Sequence, residues 1–560
     1  MKFAIGLAAC LLVSLTAQAQ MYQWKDENGR LHFSDKPPAK HQNASDLTQT
    51  SNTSDYSTSS SLGAGSSTAM KSTANSTDPK HSILSVSGIT DYDPTAMLLS
   101  YRQLLETRQY DDLNSRLYAL FDAAKTDPRQ ESLINLILNY FPVATPRHLA
   151  LINEWVVHSP REYAPLLLRA HWYRQKAWNI RGEGYMSSVS DAAKSLMTEN
   201  LNLAERDLKK ALLNGGHIAK TYAMLIENFA MQGRHDEQDR YYQLGTVRVP
   251  ASFWIHRTQL ILSSQRWGGG LEQMKEVVQR ARAKLYANPE IAHIESQLFV
   301  ELARDAMTAG EYGEALSILE KDSGCDEYSD CLYLKARTLR KLERKSEALG
   351  YFEQAVTLNQ AEARYFWSLA YSYRGAGRFS DAFRSASIAR VMEPSDKKYR
   401  EEMPEFASML ARHHHEVKSP LKTALADYDL VESQGQNSSV SYSYWSLYFS
   451  DSGDRQRAQR ELENAIASDP DCFECIRALD LSISRESQDW PRILTLWYPY
   501  LERNPQDGKA HHEIAGTYYH HKDFTKMQEH ARKAVSLGVS EAAIFLETPM
   551  GPALRGPGVR

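Results

Sequence analysis

The sequence predicts an all-α chain whose body is a helical solenoid, preceded by a small β-hairpin module and a disordered linker. Three observations predict it. From Asp93 almost to the end, apolar residues recur three and four apart, the spacing of one helical face. Within that stretch the pattern repeats itself at an interval of 34 residues. The composition suits helices: 28 Gly and 21 Pro are spread along 560 residues, while Leu, Ala, Glu, Arg and Lys, which lose least on entering a helix, are common.

A chain of this length is too long for one compact core, and 42% hydrophobic with 24% charged is the composition of a folded, soluble protein of several units. The formal net charge of -4 gives no overall bias toward nucleic acid, whose polyanionic backbone selects basic surfaces. Any charge-guided binding must therefore be local.

Residues 1–19 read as a secretory signal. Lys2 gives a short positive start, Phe3 to Leu15 an apolar run, and Ala17-Gln18-Ala19 a small-x-small cleavage site, so the mature chain is expected to begin near Gln20. Leu7-Ala8-Ala9-Cys10 also fits a lipoprotein box with Cys10 as the acylated residue. The apolar run continuing to Leu15 argues for the later cleavage and for a periplasmic or secreted protein. No other stretch has the ~20 apolar residues of a membrane span.

Residues 20–40 form the hairpin module. Tyr22 and Trp24 alternate with polar residues, as do Leu31 and Phe33, and Asn28-Gly29 between them suits the positive φ angles of a tight hairpin turn. Tyr22, Trp24, Asp26, Gly29, Ser34, Asp35, Pro37 and Pro38 resemble the Y-x-W-x-D-x-x-G and S-D-x-P-P pattern of a bacterial family of unknown function found after signal peptides. The resemblance brings no activity. Two strands alone cannot bury both faces of Trp24, so the hairpin is expected to pack on something else. Residues 41–90, rich in Ser, Thr, Asn and Gly, have too few large apolar residues to offset the entropy of ordering and are expected to be a tether.

Residues 91–290 are helical but less regular, with repeat-like fragments at Tyr110-Asp111-Asp112-Leu113 and at Leu225, Phe229, Gly233 and Pro250. Two motifs stand out, running from Ala177 to Gly184 (AWNIRGEG) and from Arg266 to Gly270 (RWGGG). Together they resemble a second bacterial family of unknown function, again without an implied activity.

Residues 291–545 carry the regular repeats, and 546–560 a tail. Aligning 329–362 with 363–396 brings Leu332 and Phe366, Ala336 and Ala370, Leu339 and Tyr373, Ala348 and Ala382, and Ala355 and Ala389 into register. Small residues let two antiparallel helices approach, and large ones fill the gap. Gly310, Tyr312 and Ala315 mark a copy at about 296–328. Trp445, Gly453, Ala458, Ala465 and Pro470 mark one at 439–472. Weaker copies cover about 473–507 and 508–540, and a degenerate one 397–438 with His413 to His415 placed at its turn. This pattern resembles the tetratricopeptide repeat (TPR).

The TPR resemblance implies a concave groove lined by the first helix of each repeat, on a face distinct from the core positions. In the two best copies that face carries Asp330, Tyr333, Arg337 and Arg340, then Arg364, Trp367, Tyr371 and Arg374. Guanidinium groups suit bidentate carboxylate contacts and aromatics add stacking surface, so the expected ligand is an acidic peptide or an envelope polymer such as a glycan. A solvated arginine face is the alternative.

Trp178, Arg181, Arg266 and Trp267 form a second candidate, read either as a pocket for a carboxylate or sugar or as helix ends whose indoles cap the core. Cys325 with Cys331 and Cys472 with Cys475 are close pairs that an oxidising compartment would join as disulfides. Cys472-x-x-Cys475 also admits a redox pair, or a zinc site completed by His511 and His512. The missing thioredoxin-like context and the unfamiliar spacing weigh against both. His413 to His415 and His520-His521 are expected to be exposed turn residues.

The sequence has no P-loop, nucleophile elbow, H-E-x-x-H or dinucleotide turn, so no cofactor, metal or catalytic residue is assigned. The resulting expectation is an exported scaffold binding a protein or envelope polymer. An envelope-processing enzyme with its site near Arg181 and Trp267, or a self-assembling module, are the other readings.

Overall fold

The computed structural model describes residues 22–25, 31–34, 94–127, 130–182 and 189–547. The expected signal segment, the Asn28-Gly29 turn, the 41–90 linker, Glu183 and Gly184, and residues 548–560 of the tail lie outside the described residues. The first of two units contains the hairpin, in which β1 (Tyr22–Lys25) pairs antiparallel with β2 (Leu31–Ser34), Tyr22 opposite Ser34 and Trp24 opposite His32.

The second unit is a helical solenoid. Its first part comprises α1 (Pro94–Glu106), α2 (Tyr110–Thr126), α3 (Glu131–Tyr140), α4 (Pro146–His158), α5 (Ala164–Arg181), α6 (Asp191–Leu213), α7 (Ala219–Met231), α8 (His235–Arg248), α9 (Phe253–Leu262) and α10 (Leu271–Arg282). Local chemistry sets several boundaries. Thr145 caps α4 by accepting from the His148 amide, with Pro146 in the first turn, and α5 ends at Gly182, where φ is 68°. Helix α7 is buried on nearly every face, so its polar residues must find partners inside the protein.

Seven helix pairs follow: α11 (His293–Ala309) with α12 (Tyr312–Glu320), α13 (Ser329–Lys341) with α14 (Lys345–Leu358), α15 (Ala363–Gly375) with α16 (Phe379–Met392), α17 (Lys397–Val417) with α18 (Leu421–Ser433), α19 (Ser439–Asp451) with α20 (Arg455–Ser468), α21 (Phe473–Glu486) with α22 (Trp490–Arg503), and α23 (Gly508–His520) with α24 (Phe524–Ser536). A short α25 (Ala543–Glu547) packs on α24. Ala336, Ala348, Ala355, Ala370, Ala382 and Ala389 are all buried where helices cross, while Phe352 and Phe383 fill the space between.

Every pair turns through one residue in the left-handed region: Gly310, Glu343, Gly377, Lys418, Gly453, Gln488 and Lys522. Three of these are glycines, which reach positive φ without steric cost. The other four accept it because the turn leaves no alternative path between packed helices. In the later copies an aspartate caps the second helix, Asp454, Asp489 and Asp523 accepting from the amides of Arg457, Arg492 and Lys526.

The solenoid closes on itself between its first helix and its third repeat. Helix α1 packs on both α3 and α16, and Arg102 of α1 is only 8% exposed. Its guanidinium donates to the Tyr140 and Phe141 carbonyls at the end of α3 and to the Val391 and Met392 carbonyls at the end of α16, the last at 2.7 Å. These are carbonyls that no helical amide can reach, at the negative ends of two helix dipoles. Burial draws the Arg102 pKa down to about 10, so the side chain stays charged at neutral pH.

Replacing Arg102 with Met removes the donors and leaves those carbonyls buried. We expect a loss of about 2–4 kcal/mol in the urea unfolding of the intact chain. An unchanged midpoint would show that α1 is held by its apolar contacts alone.

Candidate functional site

Helices α13 and α15 present the expected groove residues in three different situations. Tyr333 and Trp367 are buried: Tyr333 stacks on Tyr365 with ring centroids 4.6 Å apart, and Trp367 on Tyr399 at 4.4 Å. Arg364, Tyr371 and Arg374 are engaged by carboxylates, Arg364 by Asp330 at 2.6 Å, Tyr371 by Glu402, and Arg374 by Glu405 at 3.2 Å. Arg337 and Arg340, one turn apart on α13, are half-buried and have no carboxylate partner among the described residues. They lie over Tyr333 and Phe352, each 5.7 Å from the ring centroid, and burial, with the charge of Arg337 adding to it, draws the Arg340 pKa down.

Asp330 ties this face to the first part of the solenoid. Its two oxygens receive Arg257 of α9 and Arg364 of α15, each at 2.6 Å, and the Tyr365 hydroxyl at 2.6 Å. Burial opposes its ionisation, yet the two guanidiniums and the hydroxyl hold its carboxyl far below the usual range. A disulfide between Cys325 and Cys331 brackets Tyr328, whose hydroxyl also meets Asp330 and Arg257 at 3.2 Å.

Beside this hub lies a cavity of about 410 Å³ enclosed by α3, α5, α7, α9 and the ends of α15 and α16. Its lining follows from helical spacing. His171, Arg174, Gln175 and Trp178 share one face of α5, Lys220, Ala223 and Glu227 one face of α7, and Trp254, Arg257 and Thr258 one face of α9. Glu362 and Arg364 enter at the start of α15, and Glu393 just after α16. Arg364 thus belongs both to the expected groove and to the cavity.

The charges inside are paired unevenly. Arg174 is bound to Glu227, and Arg364 reaches Glu362 at 3.1 Å as well as Asp330. Lys220 makes a single hydrogen bond, 2.7 Å to the carboxamide of Asn139, and burial draws its pKa down to about 8. Glu393 makes no ion pair among the described residues, and burial, with Asp396 and Glu362 nearby, pushes it up to about 7. Burial also holds His171 well below its ordinary value, with Lys220 and Arg174 adding to the effect. The Arg174 Nε and Gln175 Oε1 are shut off from solvent with no hydrogen-bond partner, and neither His171 ring nitrogen makes a hydrogen bond of good geometry.

The two glycine-rich motifs meet in space. Trp178 and Trp267 stand edge to face with centroids 6.2 Å apart, Arg181 lies over Trp178 at 5.1 Å, and Arg266 is paired with Glu301 and, at 3.6 Å, with Asp305. Trp178 lines the cavity just described. Trp267 lines a second one of about 400 Å³ with Gly268, Gly269 and Arg280. The tight turn explains the glycines: a side chain on Gly269 would stand 2.2 Å from the Ser263 carbonyl oxygen.

Cys472 and Cys475 are joined as a disulfide, which removes both sulfurs from zinc ligation, and His511 contacts His530 at 3.0 Å. The expected exposure of the 413–415 histidines needs correcting. Helix α17 continues through them to Val417, and His414 is buried, 3.1 Å from Asp427 and stacked on Trp445.

The pKa of Glu393 gives a test of the cavity. Unfolding returns the group from about 7 to its ordinary 4.5. The folded state therefore holds the proton more tightly, and the associated stability, present below the ordinary pKa, is lost as pH rises through the folded one. Glu393→Gln stays neutral throughout. Its urea midpoint is expected to match that of the unaltered chain at about pH 4 and to exceed it at about pH 8. The same difference at both pH values would contradict this environment.

Three family descriptions match parts of the chain. Residues 8–60 match "Domain of unknown function (DUF4124)", 97–227 match "Domain of unknown function (DUF4034)", and 333–395 match "Tetratricopeptide repeat". The Arg266–Gly270 motif lies beyond the second match. No curated protein matches the chain. Among solved structures, YrrB, a TPR protein with an unusual peptide-binding site, is similar over 42% of this chain and 96% of its own, at 12% identity and a TM-score of 0.21. The P58(IPK) TPR domain is similar over 63% and 95%, at 15% identity and 0.21. A tetratricopeptide repeat protein from Parabacteroides merdae is similar over 47% and 98%, at 16% identity and 0.20. TM-scores this low carry no argument, and the fold rests on the helix pairs themselves. The chain carries tetratricopeptide repeats, preceded by a helical region similar to DUF4034 and an N-terminal segment similar to DUF4124.

Proposed function

We propose that the chain is an exported scaffold that binds an acidic segment of another envelope protein across the exposed face of α13 and α15. The observation that carries this reading is the pair Arg337 and Arg340: two half-buried guanidiniums one turn apart on one helix face, with no carboxylate partner among the described residues. An anionic side chain from a partner gives both guanidiniums a charge-assisted partner and offsets the burial that disfavours the charge of Arg340. Tyr371 and Arg374 extend the same face and are held in place by Glu402 and Glu405 of α17. The signal-like residues 1–19 and the two disulfides support export to an oxidising compartment.

The alternative, an enzyme acting on an envelope polymer, draws on the carboxylates Glu227, Glu362 and Glu393 in the cavity. Arg174 holds Glu227 and Arg364 holds Glu362, which leaves one uncommitted carboxylate rather than the pair that acid and base hydrolysis of a glycan uses. The scaffold reading is therefore the one adopted.

Charge reversal tests it. A labelled poly-glutamate peptide is expected to bind the intact chain with an affinity that falls as salt rises. The double variant Arg337→Glu, Arg340→Glu is expected to weaken it at least tenfold, about 1.4 kcal/mol. Unchanged affinity in that variant, with an unchanged circular dichroism spectrum, would overturn the assignment of this face.

A further inference from the structure

We propose that the cavity between α3, α5, α7 and α9 is a second, separate binding site, built for a small zwitterion of the amino-acid or dipeptide class. Lys220, Arg174 and His171 would receive its carboxylate, and Glu393 with Glu362 its ammonium group.

The cavity leaves several buried polar groups without a partner. Buried polar groups in folded proteins are almost always hydrogen-bonded, and a buried charge without a partner is costly. Four groups on one face of α5 and α7 break that rule together. Arg174, 4% exposed, has its Nε unpartnered, and so is the Gln175 Oε1. The His171 ring has no hydrogen bond of good geometry. Lys220, 9% exposed, spends one of its three donors on a neutral carboxamide. A carboxylate placed among Lys220, Arg174 and His171 satisfies the cation and the free donors at once.

The opposite wall carries two carboxylates, of which Glu362 is already paired with Arg364 and Glu393 is not. Glu393 and Glu362 enter from the end of α16 and the start of α15, and the Tyr140 hydroxyl lies in the field of both. Glu393 has no cationic partner among the described residues. Burial, with Asp396 and Glu362 nearby, disfavours its ionised form, and an ammonium group placed beside it would supply the missing partner.

An anion alone would leave Glu393 without a cation, and a cation alone would leave Lys220 without a carboxylate. A molecule carrying both charges serves both walls. The volume, about 410 Å³, lies at the lower end of the ~300–1,000 Å³ usual for small-molecule sites. The indoles of Trp178 and Trp254 supply the apolar part of the lining.

This site is independent of the α13 and α15 face, since none of its ligand-facing groups is Arg337 or Arg340. It is tested by calorimetric titration of the intact chain with L-alanyl-L-alanine, its N-acetyl derivative and its C-terminal amide. The free dipeptide is expected to bind saturably at one site, and each blocked form at least tenfold more weakly. Lys220→Met should abolish the discrimination against the amide, and Glu393→Gln that against the N-acetyl form. The Arg337→Glu, Arg340→Glu variant should bind the dipeptide as the unaltered chain does. Because Lys220→Met alters a buried position, the Glu393→Gln result stands by itself if that variant fails to fold. No saturable binding of the free dipeptide up to about 10 mM, or equal binding of all three molecules, would overturn the proposal.

Discussion

The rest of the structure depends on one shared carboxylate. Asp330 sits where the irregular helices meet the regular repeats, and its two oxygens are divided between Arg257 from the former and Arg364 from the latter. An aspartate buried among hydroxyls from Tyr328 and Tyr365 would be expensive with one cation missing, and either arginine would be expensive without it. The three charges are tolerable only together. That condition fixes α9, α13 and α15 against one another, and with them one wall of the cavity.

A solenoid of helix pairs needs contacts only between neighbours, so its interior surface is ordinarily free to stay open. Here Arg102 removes that freedom by bridging the ends of α3 and α16, reaching Met392 from 290 residues away in sequence. Closure brings Glu362, Arg364 and Glu393 against α5, α7 and α9 in one charged cavity, while Arg337 and Arg340 of α13 stay partly exposed. The two proposed sites therefore differ in character: one is an open face for a macromolecular partner, the other a cavity for a small polar ligand. Arg364 stands at the join of the two.

Much of the repeat architecture was legible, and the reason is local. Glycines at 310, 377 and 453 stand at left-handed turns, and alanines at 336, 348, 370 and 382 stand where helices cross, so composition at short range carried the signal. The same turns at Glu343, Lys418, Gln488 and Lys522 have no glycine, and those at 418, 488 and 522 lie in the copies that looked weak or degenerate. His414 was misjudged because its partners, Asp427 and Trp445, belong to other helices. The cavity left a partial trace: His171, Arg174, Gln175 and Trp178 recur at helical spacing along α5. What no local pattern reveals is that this stripe faces Glu362 and Glu393, because that convergence is produced by the winding of the whole unit. Tyr333 and Trp367 illustrate the same limit, their ring faces being taken up by Tyr365 and Tyr399.

The central claim is that buried charge welds the irregular helices and the first repeats into a single cooperative body. Native-state hydrogen exchange of the intact chain across a urea series measures this directly, since segments that unfold together lose protection with one shared free energy. The account predicts that amides in α3, α7, α9, α13 and α15 open in one common step, with α21 to α24 free to open earlier. If α3 to α9 lost protection at lower urea while α13 and α15 remained protected, the hub at Asp330 would not be holding the two parts together.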